Sequence, residues 1–252
     1  MTNRTSEYNF PTQLLKTLRF ARQVAVLTGA GISAESGLAT FRDPMTGLWA
    51  KFRPEELATP EAFQRNPKLV WEWYQWRREQ VEKAAPNPGH FALAQIESKV
   101  PKFSLITQNV DSLHQQAGSK NVVELHGNIR RTKCFEENIV VESWPETEDV
   151  PPHCPRCGGL LRPDVVWFGE NLPLEALYAA ANASKNADLF FSIGTSGQVE
   201  PAASLPRLAQ QNGATVVTIN LEVTTTAFHK VYNFNGRAGE ILPALVQKAW
   251  AG

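Results

Sequence analysis

Several polar side chains in the sequence directly follow β-rich runs, where residues that act on a ligand are expected. One of them is His126, which follows the run at residues 121–125 and precedes Gly127. The pKa of histidine lies near neutral pH, as a general base requires, and glycine allows another backbone to approach closely. A single histidine at such a place is more often packed or solvated, so the pattern alone leaves both interpretations open.

Gln108, Asn109 and Asp111 follow another β-rich run, residues 103–107. Their amide and carboxylate groups have the donors and acceptors that hydrogen bonding to a carboxamide requires. The alternative is a polar turn in which Asn and Asp cap the next helix, and this competes most strongly for Asp111.

A glycine-rich loop, residues 29–34, directly follows a predicted first strand at residues 24–28. It fits the pattern G-x-G-x-x-A, in which small residues let backbone N–H groups approach a pyrophosphate. A tight strand-to-helix turn would have the same sequence. About twenty residues later a dehydrogenase would have a second strand ending in an acidic residue. Residues 44–49 are not such a strand, which disfavours hydride transfer.

Tyr74 and Arg77 are three residues apart in a predicted helix and therefore share a face. A phenol and a guanidinium side by side can bind one carboxylate, the arginine through two hydrogen bonds and the tyrosine through its hydroxyl. On pattern alone we favour an ordinary amphipathic helix with an aromatic core stripe and an exposed arginine.

A cysteine-containing segment has the form of a zinc knuckle. Cys154 and Cys157 enclose two residues and precede two glycines, and Cys134 is a candidate third ligand. Carboxylates also bind zinc, so a fourth ligand can be sought among neighbouring residues: Glu137, Glu136 and, less readily because it adjoins Cys154, His153. The alternative is a site that has lost its metal.

These residues are positioned by β-rich runs that alternate with helical stretches, a pattern typical of a doubly wound parallel sheet. Further runs occur at residues 188–193 and 215–219, and a first amphipathic helix is predicted to turn its apolar side chains inward: Leu14, Leu15, Leu18 and Phe20. Two stretches break the pattern. We predict that residues 44–83 and 131–163 form a small second domain, and that residues 1–43, 84–130 and 164–252 form the large one.

Composition excludes several classes of function. The 252 residues carry 25 basic and 25 acidic side chains, a balance that gives no general attraction to nucleic acid or to an acidic membrane. No apolar run is long enough to cross a bilayer. Three cysteines, two of them in Cys-x-x-Cys, indicate a reducing compartment. We take the cytoplasm as the default location, with the mitochondrial matrix as the alternative.

Five blocks, in order along nearly the whole chain, resemble the motifs of the sirtuin family. They are residues 29–37 with 40–42, residues 107–111 with 113–114, residues 125–127, residues 194–196, and residues 219–220. The resemblance implies a Rossmann-like NAD-binding domain with a smaller second domain.

The resemblance also implies roles for individual residues. His126 would be the base that deprotonates a ribose hydroxyl after the acyl oxygen has displaced nicotinamide, and Asn109 would belong to the same catalytic site. The residues expected to contact NAD are Gly29, Ala30, Gly31, Ser33, Glu35, Phe41, Arg42, Gln108, Asn109, Asp111, Gly194, Thr195, Ser196, Asn220, Glu222 and Ala238. The segment with strand character that would bind the acyl-lysine substrate comprises Val166, Trp167, Phe168, Gly169 and Glu170.

The activity implied is NAD-dependent removal of acyl groups from lysine in proteins or peptides, yielding nicotinamide, O-acyl-ADP-ribose and free lysine. Tyr-x-x-Arg at residues 74–77 resembles the subgroup that removes succinyl, malonyl and glutaryl groups, and this reverses the preference for a merely structural helix. The alternatives are a plain deacetylase, a protein mono-ADP-ribosyltransferase, and a non-enzymatic NAD sensor. Because the family has a second Cys-x-x-Cys where this chain has Glu137, any zinc is expected to be structural and weakly held.

Overall fold

The computed structural model describes residues 8–40, 51–221 and 231–250. Within these ranges, eight strands form two sheets: β1 (Gln23–Thr28), β2 (Lys102–Thr107), β3 (Val122–Glu124), β4 (Gly127–Cys134), β5 (Leu161–Val165), β6 (Leu189–Ile193), β7 (Thr215–Asn220) and β8 (Val231–Asn235). The helices are α1 (Thr12–Phe20), α2 (Ala30–Ala34), α3 (Pro54–Leu57), α4 (Pro60–Arg65), α5 (Pro67–Lys83), α6 (Pro88–Lys99), α7 (Leu113–Gln116), α8 (Leu174–Lys185), α9 (Leu205–Gln211) and α10 (Ala238–Trp250).

The larger sheet is parallel and has the strand order β3-β2-β1-β6-β7-β8. The two central strands, β1 and β6, are buried along their whole length, as expected for parallel strands covered by helices on both faces. The chain order reverses between β1 and β6, so their carboxyl ends form the topological switch point at which open α/β sheets bind ligands.

Each face of this sheet has its own apolar core. On one face, α1, α6 and α10 contribute residues such as Leu18, Leu93 and Leu245; on the other, α8 and α9 contribute Ala180 and Ala209. The predicted doubly wound parallel sheet is confirmed. The prediction that Phe20 points inward is wrong: this last residue of α1 is 75% exposed, because the buried stripe of the helix runs through Leu14 and Leu18.

A smaller module packs beside the sheet and is built from α3, α4, α5 and the antiparallel pair β4–β5. Two of its helices follow each other directly, because Asn66 ends α4 and its side chain caps α5 by accepting from the Leu69 N–H. The pairing of β4 with β5 contains an irregularity between Asn128 and Thr132. The chain thus has the separate small unit expected of the fold class.

The strand character predicted for residues 166–170 is wrong. The strand β5 ends at Val165, and the following residues form a turn that places Gly169 at φ +89°. Edge strand β8 was not anticipated from the sequence. In the described part of the chain, no helix is both long and apolar enough to cross a membrane.

Candidate functional site

The glycine-rich loop lies at the switch point, against the loop that follows β6. The Gly31 N–H donates to the Gly194 carbonyl oxygen at 2.8 Å. A Cβ atom on Gly31 would lie 2.7 Å from Gly194 Cα, and one on Gly29 would lie 2.7 Å from the Gly194 oxygen. The glycines are therefore needed for the close backbone approach of two loops, which together line the carboxyl ends of β1 and β6.

Asn109 is tied to the glycine-rich loop. Its side-chain Nδ2 donates to the Gly29 carbonyl oxygen at 3.1 Å and to Ser33 Oγ at 3.0 Å, and its backbone N–H donates to Thr107 Oγ1 at 3.0 Å. Neighbouring Gln108 reaches the other loop, since its Nε2 donates to Thr195 Oγ1 at 3.0 Å. The structure thus brings two predicted amide residues into one site with the glycine-rich loop.

Asp111 has the structural role that the sequence left open. Its Oδ1 accepts from the N–H of Leu113, the first residue of α7, at 2.9 Å. Burial raises the pKa of this carboxyl group, while hydrogen bonds from Leu113 and Ser33 act to lower it. Because Ser33 also accepts from Asn109, Asp111 supports the same loop as Asn109.

His126 lies beside Gln108, with its Nδ1 3.0 Å from the Gln108 carbonyl oxygen. A carbonyl oxygen only accepts, so Nδ1 carries the proton and Nε2 of the neutral ring is the basic nitrogen. Burial lowers the pKa of His126, and the bond to Gln108 acts to raise it. Gly127 takes φ +78°, and a Cβ there would overlap the Asp164 carbonyl oxygen, which explains why glycine follows the histidine.

A buried chain of hydrogen bonds behind the site was missed from the sequence. His114 Nε2 lies 2.9 Å from Thr28 Oγ1, and Thr28 Oγ1 donates to Thr107 Oγ1 at 2.9 Å. Thr107 in turn accepts from the backbone of Asn109. The signal was a threonine at the last position of both β1 and β2, which are paired in register.

Another group of the residues predicted to contact NAD lies at the ends of β6 and β7. Asn220 Nδ2 donates to the Thr195 carbonyl oxygen at 3.2 Å, which joins the two strand ends. Ser196 follows Thr195 in the same loop. Ala238 begins α10, where Glu35 accepts from the adjacent Gly239 N–H. Three further predicted residues lie outside the described residues: Phe41, Arg42 and Glu222.

The segment predicted to bind acyl-lysine joins the site to the small module. The Val166 N–H donates to the His126 carbonyl oxygen at 2.9 Å, and the Phe168 N–H donates to the Ala58 carbonyl oxygen at 2.9 Å. Phe168 is exposed, whereas Trp167 is buried among the aromatic residues of the small module. The segment is thus held at both the sheet and the helices.

Tyr74 meets this segment from α5. Its buried hydroxyl accepts from Trp167 Nε1–H at 2.9 Å, and the two rings stack with centroids 6.2 Å apart. Burial raises the pKa of Tyr74 to about 12, although the charges of Arg77 and Arg162 act to lower it. The Arg77 guanidinium lies 5.3 Å from the Trp73 ring centroid, and burial lowers its pKa from a very high starting value. Tyr74 and Arg77 therefore sit together in a poorly solvated place.

Arg162 of β5 is a second residue that sequence reasoning missed. It is 2% exposed, forms two hydrogen bonds with Glu170 at 2.5 and 3.0 Å, and lies 3.2 Å from the centroid of a Trp167 ring. Glu170, predicted to face substrate, is thus paired within the protein. The signal was an arginine in a strand whose other side chains are mostly buried.

Four candidate metal ligands come together in the small module. The Sγ atoms of Cys134, Cys154 and Cys157 and a carboxylate oxygen of Glu137 all lie within 4.8 Å of one another. Such spacing suits a tetrahedral zinc site with Zn–S bonds of about 2.3 Å. Glu137 Oε2 is buried and has no hydrogen-bond partner among the described residues, as expected for a ligand atom. Of the proposed fourth ligands, Glu137 lies with the three cysteines. His153 instead hydrogen-bonds through its Nδ1 to the Gly158 carbonyl oxygen.

Comparisons with known proteins agree with this arrangement. The model of the Sir2 family matches residues 29–201. The chain belongs to the Sir2 family. A relative from Pyrobaculum aerophilum, NAD-dependent protein deacylase 2, is 54% identical over 232 residues, which cover 92% of each chain.

Two solved structures of Sir2 proteins are similar throughout. A Sir2 homologue in complex with NAD superimposes with a TM-score of 0.87 at 45% identity, covering 96% of this chain and 94% of that one. A Sir2 protein bound to a deacetylated p53 peptide and 3′-O-acetyl ADP-ribose has a TM-score of 0.79 at 33% identity, with 94% and 97% covered.

Proposed function

We propose that this Sir2-family chain is an NAD-dependent protein-lysine deacylase. The observation that carries the proposal is the protonation state of His126: its Nδ1 donates to the Gln108 carbonyl oxygen, so Nε2 of the neutral ring is the basic nitrogen. Gln108 and the two loops that follow β1 and β6 lie at the same edge of the sheet. Its relatives are NAD-dependent protein deacylases, and a similar Sir2 structure holds NAD. NAD would be consumed as a co-substrate along the carboxyl ends of the strands.

His126 supplies the base. In the reaction of this family a ribose hydroxyl of the co-substrate must lose a proton, and Nε2 of a neutral imidazole can accept it. The lowered pKa of His126 keeps the ring neutral at pH 7. Gln108 and Asn109 add amide groups suited to the nicotinamide carboxamide, and their bonds to Thr195 and Gly29 fix their positions before the ligand binds.

We further propose that the preferred acyl groups end in a carboxylate, as in succinyl-, malonyl- or glutaryl-lysine. The support is the pairing of Tyr74 with a charged Arg77 in a poorly solvated place next to Trp167 of the substrate segment. A terminal carboxylate on the acyl chain can form charge-assisted hydrogen bonds with an arginine at this place, whereas an acetyl methyl cannot. Arginine and tyrosine together can hold one carboxylate.

The zinc site of this proposal is structural. Cys134, Cys154, Cys157 and Glu137 would hold the ion, and it would stabilise the irregular loop between β4 and β5. The Cys134 N–H and Leu161 N–H donate to carbonyl oxygens within the same module, at Ile139 and Pro152. These hydrogen bonds connect the cysteine cluster to β5, the strand that carries Arg162.

The test is a panel of matched lysine peptides that carry acetyl, malonyl, succinyl or glutaryl groups, each incubated with NAD. Nicotinamide release and product masses are measured. A deacylase releases nicotinamide only when an acyl peptide is present, and it yields O-acyl-ADP-ribose. ADP-ribose attached to protein would instead indicate a mono-ADP-ribosyltransferase, and NAD binding without turnover would indicate a sensor.

A further inference from the structure

We infer that Trp167 is a specificity-determining positioning residue, which fixes the hydrogen-bonding role of Tyr74 towards the end of the acyl chain. The inference rests on the proposed function and deepens it. It begins with the direction of one hydrogen bond. An indole N–H can only donate, so the Tyr74 hydroxyl must accept from Trp167 Nε1.

That direction decides what Tyr74 can still do. A hydroxyl has one proton and two lone pairs, so accepting from Trp167 leaves the proton of Tyr74 available to an acceptor. In the part of the chain that the structure describes, no acceptor for this proton lies within hydrogen-bond distance. Tyr74 is 2% exposed, and a buried donor without an acceptor is unfavourable. A ligand carboxylate beside Arg77 would accept this proton, whereas an acetyl methyl would not.

The position of Trp167 is itself fixed by charged groups. Arg162 stacks on its ring at 3.2 Å from a ring centroid and forms two hydrogen bonds with Glu170. Glu170 Oε2 also accepts from the Trp167 backbone N–H at 2.8 Å. Burial acts to raise the pKa of Glu170, but its bonds to Arg162 and Trp167 outweigh burial and lower that pKa, so the carboxylate is charged. Backbone and ring of Trp167 are therefore held by one ion pair.

Apolar contacts complete the support on the remaining sides. Phe63 lies 5.3 Å and Phe135 6.4 Å from Trp167, measured between ring centroids. A ring held on several sides has little freedom to turn its N–H away from Tyr74. The hydrogen bond is thus pre-organised before substrate binds, which lowers the entropy lost on binding a carboxylate.

The experiment uses Trp167→Phe, which removes the indole N–H and keeps an aromatic ring over Arg162. The readout is the ratio of kcat/KM for succinyl peptide to kcat/KM for acetyl peptide, since effects on folding or peptide binding are common to both. Loss of one hydrogen bond of about 1 kcal/mol predicts a ratio lowered about fivefold. Trp250→Phe, far away at the end of α10, is the matched control and should keep the wild-type ratio.

A double-mutant cycle shows whether Trp167 acts through Tyr74. In the Tyr74→Phe background, Trp167→Phe should lower the ratio no further, because the hydroxyl it positions is gone. If the double variant lowered the ratio by the product of the two single-variant effects, the inference would be overturned. An unchanged ratio in Trp167→Phe would overturn it as well. A wild type that prefers acetyl peptide would instead contradict the proposed specificity, and the inference would fall with it.

A spectroscopic measurement gives an answer even where Trp167→Phe does not fold. The assigned indole N–H proton resonance of Trp167 should move upfield and exchange faster with water in Tyr74→Phe, because its acceptor is removed. A resonance that is insensitive to Tyr74→Phe would show that the bond is absent in solution and would overturn the inference.

Discussion

The substitution Arg77→Met tests whether Arg77 binds the carboxylate of the acyl group or only packs as part of α5. Methionine keeps much of the apolar length that contacts Trp73 but has no charge. Loss of one partner of a buried charged pair costs about 2–5 kcal/mol. Because Arg77 is half-buried, the lower end of that range applies, and about 2 kcal/mol corresponds to a ratio of succinyl to acetyl kcat/KM lowered about thirtyfold.

The assay for Arg77→Met is kcat/KM for both peptides at saturating NAD, with product masses read by mass spectrometry. Lys68→Met is the matched control, since Lys68 is an exposed cation on the same helix α5 and should keep the wild-type ratio. Equal losses on both peptides would show that Arg77 acts through packing alone, and this would refute the reasoning about a carboxylate pocket.

Three further predictions concern the metal and pH. Zinc should be removed by a chelator more readily from Glu137→Gln, and less readily from Glu137→Cys, than from wild type, as measured by elemental analysis. Burial lowers the pKa of His90 to about 4, so unfolded chains bind a proton below about pH 6.5 while folded chains do not. The contribution of His90 to the free energy of unfolding should therefore fall by about 3 kcal/mol between pH 6.5 and 4, so stability should fall less steeply in His90→Asn, as measured by urea unfolding. Because burial lowers the pKa of His126, kcat/KM should fall on the acid side with an apparent pKa below 6.5.

A specific result would contradict each of these three predictions. Equal zinc retention in all three proteins would remove Glu137 from the ligand set. The asparagine in His90→Asn can still accept the Asn87 N–H that donates to His90 Nδ1, so this hydrogen bond is kept, and the pH slope of stability is the quantity to compare. A slope equal to that of wild type would show that His90 is not the group that titrates. An acid limb centred above pH 7 would contradict the burial of His126 as the cause of its low pKa.

The sheet and the place of the glycine-rich loop at its switch point could be predicted because local sequence determines them. The run at residues 24–28 is apolar on both faces, as a central parallel strand requires, and the small residues that follow meet Gly194. The polar residues after β2 and β3 then lie at one edge of the sheet by topology alone. Fold class follows from such patterns without knowledge of distant contacts.

Contacts between distant residues could not be predicted. Residues 165–168 have high β-propensity, but Glu170 pairs with Arg162 and accepts from the Trp167 N–H, and this turns the chain after β5. The hydrogen bond between Trp167 and Tyr74 joins residues 93 positions apart, and the sequence around either residue contains no pattern that predicts it.

The central claim, that this chain removes acyl groups from lysine with His126 as base, is tested most directly by acyl-peptide-dependent nicotinamide release. Wild type should release nicotinamide and yield O-acyl-ADP-ribose in equal amounts with succinyl peptide. His126→Ala should bind NAD as wild type does but turn over about 10²–10⁴-fold more slowly. Nicotinamide release that needs no acyl peptide, or deacylation undiminished in His126→Ala, would contradict the account.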